Sequence, residues 1–277
     1  MKTQAEKCET FSALHKRDTA FIIPNPWDAG SARLLEATGF EALASTSVGY
    51  AFSVGRQDHG VPRDEMIAHV TSLAAATDLP LSADLENGFG DDTNTVAETI
   101  RMAAAAGLAG CSIEDSRNGA GEPIYEFGHA VDRVRAAVDV VRTLPFPFML
   151  TARAENYLHG RTDLADTIRR LQAFQEAGAN VLYAPGMTDM QDVTTMVKSV
   201  DLPVNVLAGM QGIHFNMQEL SRIGVKRVSV GGALTRVALG AFLRAAREMK
   251  EFGTFTFVDE PISSREISEL LQGARNS

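Results

Sequence analysis

The chain has 277 residues, 45% hydrophobic and 22% charged, with a formal net charge of -9. This is enough to bury a substantial core, and the acidic balance argues against a nucleic-acid-backbone binder, which needs a basic face. There is no apolar run of about 18 residues to span a membrane, the first twenty residues lack an apolar leader centre, and Cys8 and Cys111 form no framework, so a soluble cytoplasmic protein is expected.

Residues 1–20 read as an N-terminal helical extension. A short apolar run, Phe21–Pro24, follows. Asp28–Thr38 then opens on a capping aspartate and stops at Gly39, as a helix would. Strand-like runs recur at Ala42–Thr46, Leu79–Glu86, Gly110–Asp115 and Phe146–Arg153. Three more follow, at Asn180–Pro185, Pro203–Gly209 and Arg227–Gly232. Between them lie helical patterns such as Thr93–Ala106, ending at Gly107, and Thr162–Ala177, ending at Gly178. Ala233–Lys250 is a last long helix, strongly apolar on one face. In the pairs Leu79-Pro80 and Leu202-Pro203, proline closes a connection and opens a strand.

Eight repeats of strand, loop and helix predict a single (β/α)8 TIM-type barrel over residues 1–277. A C-terminal helical tail, residues 252–277, carries one short helix at Ile262–Leu271. The competing open doubly wound sheet lacks its glycine-rich turn, since no GxGxxG follows the first strand.

In such a barrel, chemistry gathers at the C-terminal ends of the strands. The second run ends in Ser45, Thr46 and Ser47, and the third in Asp84 and Glu86. The fourth ends in Glu114-Asp115, and the fifth in Arg153, followed by Glu155 and Asn156. Alternation along a strand puts Asp84 and Glu86 on one side. If that side faces the barrel axis, Glu114 converges on them. Carboxylates are costly to bury alone, and an all-oxygen cluster favours Mg²⁺ (or Mn²⁺) over zinc. The Arg153 guanidinium suits a substrate carboxylate.

His159 and His214 follow strands five and seven and are placed to reach the mouth, where either could act as a general acid or base. Glu155 and Tyr157 are mouth residues without an assigned role. Asn205 is either a pocket donor or a satisfied core amide. His69 and Cys111 read as structural. Gly231-Gly232 either binds phosphate at a helix start or only permits a tight turn.

Several blocks, in order, resemble the isocitrate lyase / phosphoenolpyruvate mutase superfamily. They are Asn25-Pro26-Trp27-Asp28-Ala29-Gly30-Ser31-Ala32; Ser45-Thr46-Ser47-Val48-Gly49 with Gly55-Arg56-Gln57-Asp58; Asp84-Leu85-Glu86-Asn87-Gly88-Phe89-Gly90; Ser112-Ile113-Glu114-Asp115; and Thr151-Ala152-Arg153. The resemblance runs from about Phe21 to Phe242. It implies Mg²⁺ at the mouth, held by Asp84, Glu86 and Glu114, mostly through waters. Ser45, Thr46, Ser47 and Arg153 would bind the substrate carboxylate, with Asp58 beside them as an outer acceptor. The reaction implied is cleavage of a C–C bond in a small 2-oxo or 2-hydroxy acid through a metal-stabilised enolate. The ligand would be that small acid, with no nucleic acid or membrane as partner. The implied assembly is a homodimer or homotetramer; the apolar face of the last barrel helix either packs on its own barrel or, as in the family, exchanges between subunits.

The chain departs from the family in three places. The loop Ser116–Pro123 has none of the cysteine, lysine or histidine of the family lyases' lid. The catalytic acid is therefore sought elsewhere, with His159 or a bound water as candidates. Glu86 stands where aspartate is usual, and Tyr183-Ala184-Pro185-Gly186 replaces a Pro-Glu pair, so the pocket is unlike one for a tricarboxylate. Two alternatives remain. One is P–C chemistry of the phosphonomutase or phosphonopyruvate hydrolase kind, with Asn118 in the lid asparagine's place. The other is a non-catalytic 2-oxo acid binding protein.

Overall fold

The computed structural model describes residues 2–117, 121–259 and 261–273. In chain order the elements begin α1 (Gln4–His15), β1 (Phe21–Ile23), α2 (Ala29–Ala37), β2 (Leu43–Ala44), α3 (Ser47–Ser53) and α4 (Arg63–Ala76). They continue β3 (Leu81–Asp84), α5 (Thr93–Ala105), β4 (Gly110–Glu114), α6 (Phe127–Val141), β5 (Met149–Arg153) and α7 (Leu164–Ala177). The last are β6 (Val181–Tyr183), α8 (Met190–Lys198), β7 (Val204–Leu207), α9 (Met217–Arg222), β8 (Arg227–Ser229), α10 (Ala233–Phe252) and α11 (Ser264–Gly273).

All eight strands are parallel, in the order β1-β8-β7-β6-β5-β4-β3-β2. The Ala44 N–H donates to the Pro24 carbonyl at 3.1 Å, which brings the two ends of the sheet together. This is the expected (β/α)8 barrel. The helices bury Ala, Val, Ile and Leu faces against the strands in one continuous core, the arrangement a parallel sheet requires on its outer face.

The strands are shorter than the apolar runs that predict them: most runs continue into the loop beyond the strand, whereas Phe146–Arg153 starts three residues before β5. Helix ends follow their local chemistry. Asp28 caps α2 by accepting from the Ser31 N–H at 2.7 Å. Asp163 caps α7 in the same way, which moves its start two residues past Thr162. Gly178 ends α7 in the left-handed conformation at φ 105°.

Helix α1 covers the N-terminal end of the barrel. Its Cys8, Phe11 and Leu14 are buried against Phe21, Ala109, Met149 and Val181, which lie at or beside strand starts. At the opposite extreme, α10 leaves Val237, Phe242, Leu243, Met249 and Phe252 exposed. No helix among the described residues is long and apolar enough to cross a membrane.

His69 on α4 is buried and stacked on Tyr50, with ring centroids 3.7 Å apart. Its Nε2 has no hydrogen-bond partner, and burial pushes its pKa down to about 4. The folded protein therefore holds it neutral while the unfolded chain takes up a proton below about pH 6.5. The stability this contributes is fully present above pH 6.5 and is lost as pH falls towards 4. Thermal melts from pH 7 to 4 are expected to show that loss, and His69→Phe, which keeps the stack, to blunt it.

Candidate active site

The strand register sets the site. Along the ladder, Glu114 pairs with Arg153, Arg153 with Tyr183, Tyr183 with Asn205, and Asn205 with Arg227. Side chains at paired positions of parallel strands face the same side. These five therefore turn inward together and line a cavity of about 420 Å³ at the barrel mouth. The same cavity is lined by Ser45, Thr46, Ser47, Asp58, His59, Asp84, Glu155 and His159.

Arg153 is the hub. Its Nη1 lies 2.8 Å from Asp84 Oδ1, its Nη2 3.0 Å from Glu114 Oε2, and its Nε 2.8 Å from Glu155 Oε1. Burial opposes the charge, but Glu155, Glu114 and Asp84 outweigh it and hold the guanidinium protonated. Burial pushes the Glu155 carboxyl well above the usual carboxylate range, against the pull of Arg153. One cation thus gathers three carboxylates, from the ends of β3 and β4 and from the loop after β5.

The serine-rich segment holds Asp84 from the other side. Ser47 Oγ donates to Asp84 Oδ2 at 2.9 Å, and Ser45 Oγ accepts from the Asp84 N–H at 2.9 Å. Thr46 caps α3, accepting from the Gly49 N–H at 3.2 Å. Gly49 is needed for this close packing, because a Cβ there would lie 2.5 Å from both Thr235 Oγ1 and Thr46 Cγ2. Gly49→Ala is expected to cost about 1–3 kcal/mol of stability in urea unfolding, the usual penalty of overpacking.

Glu86 departs from the expected alternation. β3 ends at Asp84, and Glu86 lies beyond it with φ 50°, in the left-handed region. That rotation takes its carboxylate out of line with Asp84 and towards His59 Nδ1, 3.1 Å from Glu86 Oε2. Glu86 is buried, and burial raises its pKa, while Oε1 has no hydrogen-bond partner.

His59 is a site residue the sequence reading passed over. The Glu86 hydrogen bond, working against burial, raises its pKa to about 9, and its Nε2 stands 3.8 Å from Asp58 Oδ2. Only its position next to Asp58 hinted at it. Burial raises the pKa of Asp58.

His159 lies at the cavity rim, exposed, and partial burial lowers its pKa. His214 is exposed and does not line the cavity. Asp115 is turned away from the mouth. It accepts from the Glu155 N–H at 2.8 Å and from Arg170 Nη1 at 3.0 Å, latching β4 and β5 to α7. The N–H groups of Val230 and Gly231 both donate to Asn25 Oδ1 at 2.9 Å, so these amides are engaged by Asn25. Cys111 is fully buried. Ser116 Oγ donates to Glu114 Oε1 at 2.8 Å, whereas Asn118 lies outside the described residues.

The groups around the mouth that could ligate a metal are mainly oxygens, the carboxylates of Asp58, Asp84, Glu114 and Glu155 and the hydroxyls of Ser45, Thr46 and Ser47, beside the imidazoles of His59 and His159, which suits a hard cation. Among the described residues, no three His, Cys, Asp or Glu side chains form a ready metal cage. Of the three carboxylates predicted to hold an ion, Asp84 and Glu114 line the cavity and Glu86 does not, although its buried Oε1 lacks a partner; two facing carboxylates fit a hydrated ion with few direct protein contacts.

The chain is similar to a crystal structure from Burkholderia cenocepacia J2315, provisionally named a lyase/mutase. The two share 60% identity at a TM-score of 0.93, over 96% of this chain and 95% of that one. It is 30% identical over 244 residues to an uncharacterised protein of Mycobacterium tuberculosis (strain ATCC 25618 / H37Rv), covering 87% of this chain and 89% of the relative. It is 29% identical over 204 residues to the 2-methylisocitrate lyase of Escherichia coli (strain K12), covering 71% and 68%. The phosphoenolpyruvate phosphomutase family profile matches residues 11–250, and with the barrel and its mouth as described, the chain belongs to that family.

Proposed function

We propose that this protein is a Mg²⁺-dependent carbon–carbon lyase acting on a small 2-oxo or 2-hydroxy carboxylic acid. The observation that carries this reading is Arg153, buried at the mouth among Asp84, Glu114 and Glu155 and facing a cavity sized for a small acid. The similarity to a 2-methylisocitrate lyase supports the reaction class.

Asp84, Glu86 and Glu114 would hold the ion, Mg²⁺ or Mn²⁺. When bound, it supplies Lewis-acid stabilisation of a developing enolate oxygen. Arg153, with Ser45, Thr46 and Ser47, orients the substrate carboxylate, and the fork of the guanidinium suits a planar anion. Asp58 is an outer acceptor. His159, at the rim, holds the proton for the departing fragment. The exposed apolar side of α10 supports a homodimer or homotetramer, and the place of action is the cytoplasm.

The test is a panel of isocitrate, methylisocitrate, dimethylmalate, oxaloacetate and phosphonopyruvate with Mg²⁺, followed by product detection. Cleavage of a carbon acid is expected. Phosphate release from phosphonopyruvate alone would move the reading to P–C chemistry, which the family profile also favours. Tight binding with no turnover of any member would make the protein a 2-oxo acid binder.

A further inference from the structure

Two guanidiniums line the cavity, and their surroundings differ. Arg153 is matched by three carboxylates. Arg227, the first residue of β8, is 5% exposed, and no carboxylate among the described residues pairs with it. All its partners are neutral. Nε donates to Asn205 Oδ1 at 2.9 Å and Nη2 to Thr151 Oγ1 at 3.0 Å. Nη1 lies 3.5 Å from His15 Nε2. His15 Nδ1 lies 2.8 Å from the Phe11 carbonyl, a group that only accepts, so Nδ1 carries the hydrogen and Nε2 offers its lone pair. Burial and Arg227 together keep this imidazole neutral.

An isolated buried charge is costly, and an apolar residue of similar volume would fill the same space without that cost. The position therefore calls for a counter-charge that the described protein does not supply. The cavity is where one can arrive. Asn205, level with Arg227 in the strand register, and Ser229, two residues further along β8, are joined by the Asn205 Nδ2 donation to Ser229 Oγ at 2.9 Å and line it beside the guanidinium. The acids lie on the β3–β5 side and the unmatched cation at the base of the β7–β8 side.

We propose that Arg227 is a specificity-determining residue: through Asn205 and Ser229, its unmatched charge selects ligands bearing a second negative charge. This rests on the reading of the cavity as the site for small carboxylic acids. Arg227 is itself part of the cavity wall, with Nε on Asn205 and Nη2 on Thr151, so its charge reaches a ligand from that wall.

The experiment uses two planar probes of nearly equal shape, oxalate (two negative charges) and oxamate (one). Each is titrated calorimetrically, with saturating Mg²⁺, into the wild type and into Arg227→Gln, Arg227→Met and Arg227→Lys. The neutral variants are expected to weaken oxalate about tenfold or more beyond any weakening of oxamate, as losing one unit charge across a partly desolvated gap implies. Arg227→Lys is expected to keep the oxalate-to-oxamate ratio of the wild type. Equal factors for both probes would overturn the proposal, since a general loosening of the pocket moves them together. Neutral variants that all fail to fold would overturn it too, making Arg227 a structural residue. If the wild type binds neither probe, the cavity assignment itself falls. If it binds both and the ratio survives in the neutral variants, only the role of Arg227 falls.

Discussion

Arg153→Met is expected to destabilise the protein by about 3–5 kcal/mol at pH 7, the penalty of leaving buried carboxylates without their cation, and to abolish turnover. Asp84, Glu114 and Glu155 all lean on this one guanidinium. Without it the Glu155 carboxyl, already pushed up by burial, rises further, so the destabilisation is fully present above that raised value and shrinks as pH falls through it. Urea unfolding of the variant at pH 7 and pH 5 measures this directly. The deficit relative to wild type is expected to narrow at pH 5, while activity stays absent at both.

Asp84→Ala is expected to leave the fold intact and remove Mg²⁺-dependent binding of pyruvate-like ligands. Asp84 sits at the end of β3, only partly buried, so its loss opens little of the core. Calorimetric titration of oxalate with Mg²⁺ is expected to show a loss of at least about a hundredfold in affinity, beyond the range seen for outer-sphere changes. An unchanged affinity would remove Asp84 from the site.

The fold was readable because its signals are local. Each strand is a short apolar run, and the left-handed glycines at Gly39, Gly107 and Gly178 mark helix ends. Asp84, Glu114 and Arg153 were readable for the same reason, as strand-end residues whose inward direction follows from alternation. Other features were hidden because they depend on backbone turns or distant partners. Ser47 reads as a strand end, yet it starts α3, since Thr46 caps a helix there. Glu86 and His59 meet because both adopt positive φ, at 50° and 60°, which composition does not announce for either residue type. The setting of Arg227 is assembled from α1, β5 and β7, elements far from it in sequence.

Helix α1 has a consequence for traffic. With Phe11 and Leu14 buried across the N-terminal end of the barrel, the mouth at the opposite end is the opening that the described residues leave for a molecule to enter and depart. If a bond is broken inside, the fragment nearer the opening must depart before the deeper one. Product release would then follow a fixed sequence, imposed by the first turns of the chain.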